Sequence, residues 1–287
     1  MREYILLTDN MADLPKQWLT DHHVETVSLT YTIDGVTYTE DNGLSPEEFY
    51  EKIRQGSMPV TSQISESLAY DTFKSYLAMG KDVLYLAFSS GLSGTYQSAM
   101  AAKSVLDDKG HEGKILIVDT LAASLGEGLL VYYAAKLRDE GETMEEVAAW
   151  VEANKLHLAH LFTVNDLFHL HRGGRVSKAS AVFGSMLSIK PVMHMDDEGH
   201  LTVTGKARGR KKSLQCLVEN MHAQIGDYKN EVFFITHSDC YEEAKELADQ
   251  IQKEFGIPSY MINWVGPTIG SHTGIGTIAL FFLGDRR

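Results

Sequence analysis

The chain has 287 residues, 44% of them hydrophobic and 23% charged, enough to bury a sizeable core and more typical of two domains than one. Its formal net charge of -13 disfavours nucleic acid as the main partner, and its two cysteines, Cys216 and Cys240, lack the paired spacing of a zinc or redox motif. The apolar run of "MREYILLTDN" is too short for a signal-peptide core and no other run is long enough to span a bilayer, so a cytoplasmic protein with free thiols is expected.

The first half alternates short apolar runs with amphipathic segments, the pattern of parallel strands joined by crossover helices. "EYILL" reads as the first strand, and "DLPKQWLTDH" as a helix opened by Asp13 with a proline in its first turn. "VSLTYTIDGVTYTEDNG" alternates around Asp34-Gly35 and predicts a hairpin, part of a small insertion over about residues 26–58. "SPEEFYEKIRQGS" is a helix capped by Ser45. A helix around 66–79, the strand "DVLYLAF", a helix from about 94 to 109 and the strand "KILIVD" suit a doubly wound sheet. The helical stretch 122–157 divides in two at "DEGET".

The second half has a different rhythm. "HLFTV" is a strand, and "NDLFHLHRGGRVSKASAVFGSMLS" is helical with a Gly-Gly break. "IKPVMHMDDEGHLTVTGKAR" is a hairpin turning at Asp197-Glu198-Gly199. "EVFFITH" and "PSYMINWV" bracket the helix "CYEEAKELADQIQKEFG" before the closing run "TIALFFLG". The expected organisation is an α/β domain over 1–157 and a mixed-sheet α/β domain over 158–287.

"SSGLSGTYQSA" follows a strand and opens a helix, so it lies at the carboxyl edge of the sheet, where open α/β folds place ligands. Ser89, Ser90, Ser93 and Thr95 are neutral donors, and Gly91 and Gly94 permit close approach. The turn matches neither a P-loop nor a dinucleotide fingerprint and holds no Lys or Arg, which favours a carboxylate over a polyphosphate. "VTSQIS" offers Thr61 and Ser62 before a helix, and "GPTIGSHTGIGT" offers His272 and Thr273 among glycines. Three hydroxyl-rich turns could therefore converge on one small anion, although an ordinary helix cap explains any one of them equally well.

In order, "LLTDNMADLP", "VTSQIS", "SSGLSGTYQSA", "IVDTLAASLGEGLLV", "LHRGGRVS", "IKPVMHMDDEGHL" and "VGPTIGSHTGIGT" resemble the successive motifs of the DegV family, over essentially the whole chain. The resemblance implies a Rossmann-like three-layer N-terminal domain with a parallel sheet and a two-layer α/β C-terminal domain with a mixed sheet. It implies a long-chain fatty acid bound between them, with its chain buried in the C-terminal domain. It also implies a non-catalytic role as the lipid-binding subunit of bacterial fatty acid kinase, whose separate ATP-binding subunit makes the acyl phosphate used in phospholipid synthesis. No cofactor or metal is implied, and a transient contact with a membrane or an acyltransferase is compatible with the role.

By that resemblance Thr61, Ser62, Ser93, Gly94, His272 and Thr273 are the carboxylate-site candidates. Phe183, Met186, Leu187 and Ile189 of "SAVFGSMLSI", with Ile275, are candidates for the acyl pocket. Ile64 and Ile275 depart from the pattern, standing where the family commonly has proline. In an acidic chain the clusters "HRGGRVSK" and "KARGRKK" reverse the local charge, and Arg172, Arg175, Arg208 and Arg210 are candidates for docking the kinase subunit. Two other readings stand beside the carrier. One is a serine hydrolase of acyl esters, with Ser93 as nucleophile, His272 as base, and Asp9 or Asp119 behind it. The other is an interaction protein whose cavity has lost its ligand.

Overall fold

The computed structural model describes residues 2–39, 42–177 and 188–287. The first lobe opens with β1 (Tyr4–Asp9), α1 (Lys16–Asp21) and β2 (Val24–Val27). It continues through β3 (Thr30–Ile33), β4 (Val36–Tyr38), α2 (Pro46–Arg54), β5 (Val60–Ser62) and α3 (Glu66–Ala78). β6 (Asp82–Ala87), α4 (Thr95–Asp108), β7 (Ile115–Asp119), α5 (Leu125–Asp139) and α6 (Met144–Asn154) complete it. Its main sheet has the order β2-β1-β6-β7, all parallel.

Alternation along these strands builds three layers, because successive side chains point to opposite faces. Leu7, Val83 and Tyr85 face α3 and α4 through Ala69, Phe73, Ala99 and Leu106. Leu6, Leu84 and Leu86 face α5 and α6 through Leu129, Leu130 and Val147. The hairpin expected at Asp34-Gly35 is present, with both residues at positive φ (52° and 79°), the requirement of a tight two-residue turn. It belongs to a separate antiparallel sheet of order β4-β3-β5, whose third strand lies beyond the end expected at residue 58.

The second lobe runs through β8 (Leu158–Thr163), α7 (Phe168–Arg172), β9 (Ile189–Met195) and β10 (Leu201–Arg208). It ends with α8 (Arg210–Gln224), β11 (Val232–His237), α9 (Tyr241–Phe255), β12 (Ser259–Trp264), α10 (Pro267–Thr273) and β13 (Ile278–Leu283). Its sheet, β10-β9-β8-β13-β11-β12, is antiparallel except for the parallel pair β11–β12. In β13, Ile278, Leu280 and Phe282 pack under α8 and α9, while Ala279, Phe281 and Leu283 face the core shared with α5. α5 is therefore buried between the two sheets, touching β8, β11 and β13 on one side and β1 and β6 on the other.

Asp13 does not open α1 as expected. Pro15 occupies the cap position without a side-chain bond, and Asp13 stands in a left-handed conformation at the end of a 3-10 turn begun by Asp9. Its carboxylate is turned inward, accepting from Ser124 Oγ at 2.5 Å and from the Gly266 N–H at 3.0 Å, so it joins α5 to the start of α10.

Asp13 is one of three buried acids under the junction of the lobes. Asp9 accepts from the N–H groups of Met11 and Phe88 and from the Tyr85 hydroxyl, and Glu127 accepts from Thr8 at 2.8 Å. Burial outweighs these bonds, pushing Asp9 up to about 6 and Asp13 up to about 7, and holding Glu127 well above its ordinary range. Raised carboxyl pKa values stabilise the fold fully below the unfolded value of 3.8, and that contribution is lost as pH rises toward 7. Glu127→Gln, neutral throughout, is expected to raise stability by about 1–3 kcal/mol at pH 8 and by much less at pH 5. Thermal unfolding of both proteins across that range measures the difference, and equal gains at both pH values would refute the linkage.

Candidate functional site

Where the layer occupied by α5 ends at its N-terminus, the space between the two sheets is a partly open cavity of about 190 Å³. Both lobes form its apolar wall: Met11, Leu29, Phe88 and Leu92 from the first, and Phe162, Leu170, Met195, Ile269 and Phe281 from the second. An acyl chain was expected in the C-terminal domain; this apolar wall is drawn from both lobes, with α5 occupying the neighbouring part of the gap. Ile189 and Ile275 are not on it. Ile275 packs with Tyr31, Phe49 and Tyr50 beneath the small sheet. Phe183, Met186 and Leu187 lie outside the described residues.

The three turns do meet at this cavity. Thr61 on β5, Ser93 and Gly94 before α4, and His272 and Thr273 at the end of α10 all line it. Thr61 Oγ1 and His272 Nε2 are 2.8 Å apart, and the buried Thr273 Oγ1 has no hydrogen-bond partner among the described residues. Ser62 is the exception. Neighbouring strand residues face opposite ways, so with Thr61 turned inward Ser62 lies exposed on the outer face of the small sheet. A Cβ at Gly94 would come within 2.3 Å of Oε1 of Gln63, another lining group, and would displace the flexible end of that exposed side chain.

Ser93 belongs to a local hydroxyl pair. Its Oγ lies 2.9 Å from Thr95 Oγ1 and accepts the Thr95 N–H at 3.2 Å, while the Ile64 N–H donates to Thr95 Oγ1 at 3.3 Å. Ile64 is itself 1% exposed and packed in the core, so the residue in the proline position supplies both apolar volume and a donor that proline lacks. Ser89 is not available to a ligand: it is fully buried and donates to the Gly199 carbonyl at the β9–β10 tip.

Arg172 and Arg175 were expected to face a partner; both are bonded to backbone carbonyls of the turns, and Arg175 lines the cavity. Arg172 Nη2 donates to the carbonyls of Pro59 (3.0 Å) and Ser271 (3.1 Å), joining the approach to Thr61 with the residue before His272. Arg175 donates from Nε and Nη2 to the Leu92 carbonyl and from Nη1 to the Gly173 carbonyl, and it lines the cavity next to Ser93. These bonds use three of its five N–H groups. The turns themselves hold no cation, but the assembled site does, contributed by a segment distant in sequence.

This explains the state of His272. Burial first, then the charges of Arg175 and Arg172, push its pKa down to about 3, so the imidazole is neutral. Gly173 lies hard against it, where a Cβ would fall 2.1 Å from Nδ1. The hydrolase arrangement is not assembled: His272 is bonded to Thr61 and Ser93 to Thr95. Asp9 is engaged by Met11, Phe88 and Tyr85, and Asp119 Oδ1 accepts from the N–H groups of Ser90 and Leu121.

Of the remaining arginines, Arg210 is also internal, bonded to Glu243 and to the Gly276 carbonyl at 2.7 Å. Arg208 is exposed at the end of β10, and its guanidinium has no hydrogen-bond or ion-pair partner among the described residues. Among those residues, no cluster of His, Cys, Asp and Glu could hold a metal, and no helix is long and apolar enough to cross a membrane.

The family model described as "Uncharacterised protein, DegV family" matches residues 4–285. A DegV domain-containing protein of Clostridium perfringens is 45% identical over 100% of this chain and 99% of its own length. Among solved structures, a DegV family protein from Thermus thermophilus described by its fatty acid binding is similar with a TM-score of 0.87 and 32% identity, over 99% of this chain and 100% of that one. DegV of Bacillus subtilis, described as a fatty acid binding protein, gives 0.84 and 27% over 99% and 100%. The two-lobed α/β architecture is thus the one these relatives share, and the chain belongs to the DegV family.

Proposed function

We propose that the protein is a carrier for a long-chain fatty acid. Its carboxylate is received by Thr61, Ser93, Gly94, His272 and Thr273, with Arg175 beside them, and its acyl chain lies along the apolar wall that both lobes supply. The observation that carries this reading is the pairing of an apolar cavity with a cluster of neutral donors and one incompletely bonded guanidinium. The fatty acids bound by relatives that are similar over nearly the whole chain support it.

A carboxylate suits these groups for two reasons. It accepts hydrogen bonds and gives none, which matches hydroxyl donors, and its charge compensates the Arg175 cation, which burial disfavours. Chemistry on the head group is assigned to a separate ATP-dependent kinase subunit, which would convert the carboxylate to an acyl phosphate for phospholipid synthesis. The carrier itself is then not an enzyme, and it works in the cytoplasm. Arg208 is the residue we assign to docking of that subunit, as the one cation of the four candidates whose guanidinium is left without a partner among the described residues.

Solvent extraction of the purified protein followed by mass spectrometry should yield a long-chain fatty acid in near-stoichiometric amount. A protein that neither retains nor takes up any fatty acid would contradict the reading. Ser93→Ala is expected to weaken fatty acid binding about tenfold, the loss of one charge-assisted hydrogen bond, in a fluorescent-probe displacement assay. Arg208→Glu should lower affinity for the kinase subunit without changing fatty acid affinity; unchanged subunit binding removes Arg208 from the docking surface.

A further inference from the structure

We propose that Thr95, a residue outside the cavity wall, fixes the direction of the Ser93 hydroxyl and so makes the site selective for an ionised carboxylate over a head group that carries its own proton. The inference rests on the carrier reading above and assigns a positioning role that the hydroxyl turns do not reveal by composition.

The argument is an accounting of protons. Thr95 is fully buried, and its Oγ1 already accepts the Ile64 N–H. A hydroxyl has one proton to donate, and leaving it unpaired in the interior costs about 1–3 kcal/mol. The acceptor within reach of Thr95 Oγ1 among the described residues is Ser93 Oγ, at 2.9 Å, so the Thr95 proton points there. Ser93 Oγ also accepts the Thr95 backbone N–H at 3.2 Å. Both lone pairs of Ser93 are then occupied from behind, and the hydroxyl has only its own proton to present to the cavity that it lines.

A group that can donate but not accept discriminates by protonation state. An ionised carboxylate receives the Ser93 proton in a charge-assisted bond. A protonated acid or a fatty alcohol brings a proton for which Ser93 has no lone pair free. The Ile64 N–H takes one of the two Thr95 Oγ1 lone pairs, so the direction of the pair is set by the buried Thr95 proton, which has no acceptor other than Ser93 Oγ among the described residues.

The test uses palmitic acid labelled with carbon-13 at the carboxyl carbon, and 1-hexadecanol as the neutral-headed competitor. In the wild-type protein the bound carboxyl should titrate below the free acid by carbon NMR, and the acid should bind more tightly than the alcohol. Thr95→Val is expected to move the bound titration upward and to reduce the acid-over-alcohol affinity ratio about tenfold, whereas Thr95→Ser should keep both. Thr95→Cys replaces the hydroxyl by a weak donor, should shift both readings in the same direction by less, and decides the matter where Thr95→Val does not fold. Wild-type titration and ratio in the folded variants overturn the proposal, as does a Thr95→Ser protein that behaves like Thr95→Val. A wild-type protein that takes up no fatty acid overturns the carrier reading and this inference with it, whereas uptake weakened by Ser93→Ala but indifferent to Thr95 overturns this inference alone.

Discussion

The site depends on two guanidinium groups at and just after the end of a single short helix. The hydroxyl turns begin near residues 60, 92 and 271, far apart in the chain. Arg172 binds the first to the third through the Pro59 and Ser271 carbonyls, and Arg175 binds the second through the Leu92 carbonyl. α7 packs on α10, so the two arginines emerge between the elements that they join. Neutralising both would leave buried carbonyls without donors and release the turns from one another, a loss larger than that of two surface charges.

That clamp rests on two lobes that share one core. α5 is common to both, with Leu129, Leu130 and Val131 packed in one core cluster that reaches from Leu84 of the first sheet to Phe281 of the second. The cavity is the part of the inter-sheet space that the helix does not fill, so its length and walls are set by where α5 begins. Ser124, at that beginning, holds φ 55° and ψ -148°, and it is kept there by its bond to Asp13. The acid is in turn fixed by the N–H of Gly266, the residue before α10. A buried carboxyl group and a strained turn at the cavity floor thus support the elements that carry His272 and Thr273.

Much of the fold could be read from the chain because it depends on local signals. Hydrophobic runs of strand length, the Ser45 cap, the Asp34-Gly35 turn and the break at "DEGET" each determine their element within a few residues. What escaped were matters of direction and partnership. Adjacent Thr61 and Ser62 are equivalent in composition, and only the pleat of β5 separates them. Asp13 has the sequence context of a helix cap, and its two distant donors, Ser124 and Gly266, turn it away. Arg172 and Arg175 look like a surface cluster, since nothing in "HRGGRVSK" announces the carbonyls of Pro59, Ser271 and Leu92. Arg208 and Arg210, two residues apart, divide in the same way, one exposed and the other bonded to Glu243 and Gly276.

In the proposed carrier the arrangement also resolves a tension between holding a carboxylate and leaving it able to react. A free lysine or a bidentate arginine would bind the anion strongly and withdraw electron density from the oxygen that attacks phosphorus in the proposed transfer. At this site the cation is present but shared: Arg175 gives three of its five N–H groups to carbonyls, which also fix its orientation. The nearby His272 is held neutral by its burial and then by the same positive charges, so it contributes a dipole and no second cation. In the proposed carrier, direction comes from hydroxyls and attraction from a partly satisfied guanidinium. Binding is then divided among several modest donors, which lets a carboxylate remain both bound and nucleophilic.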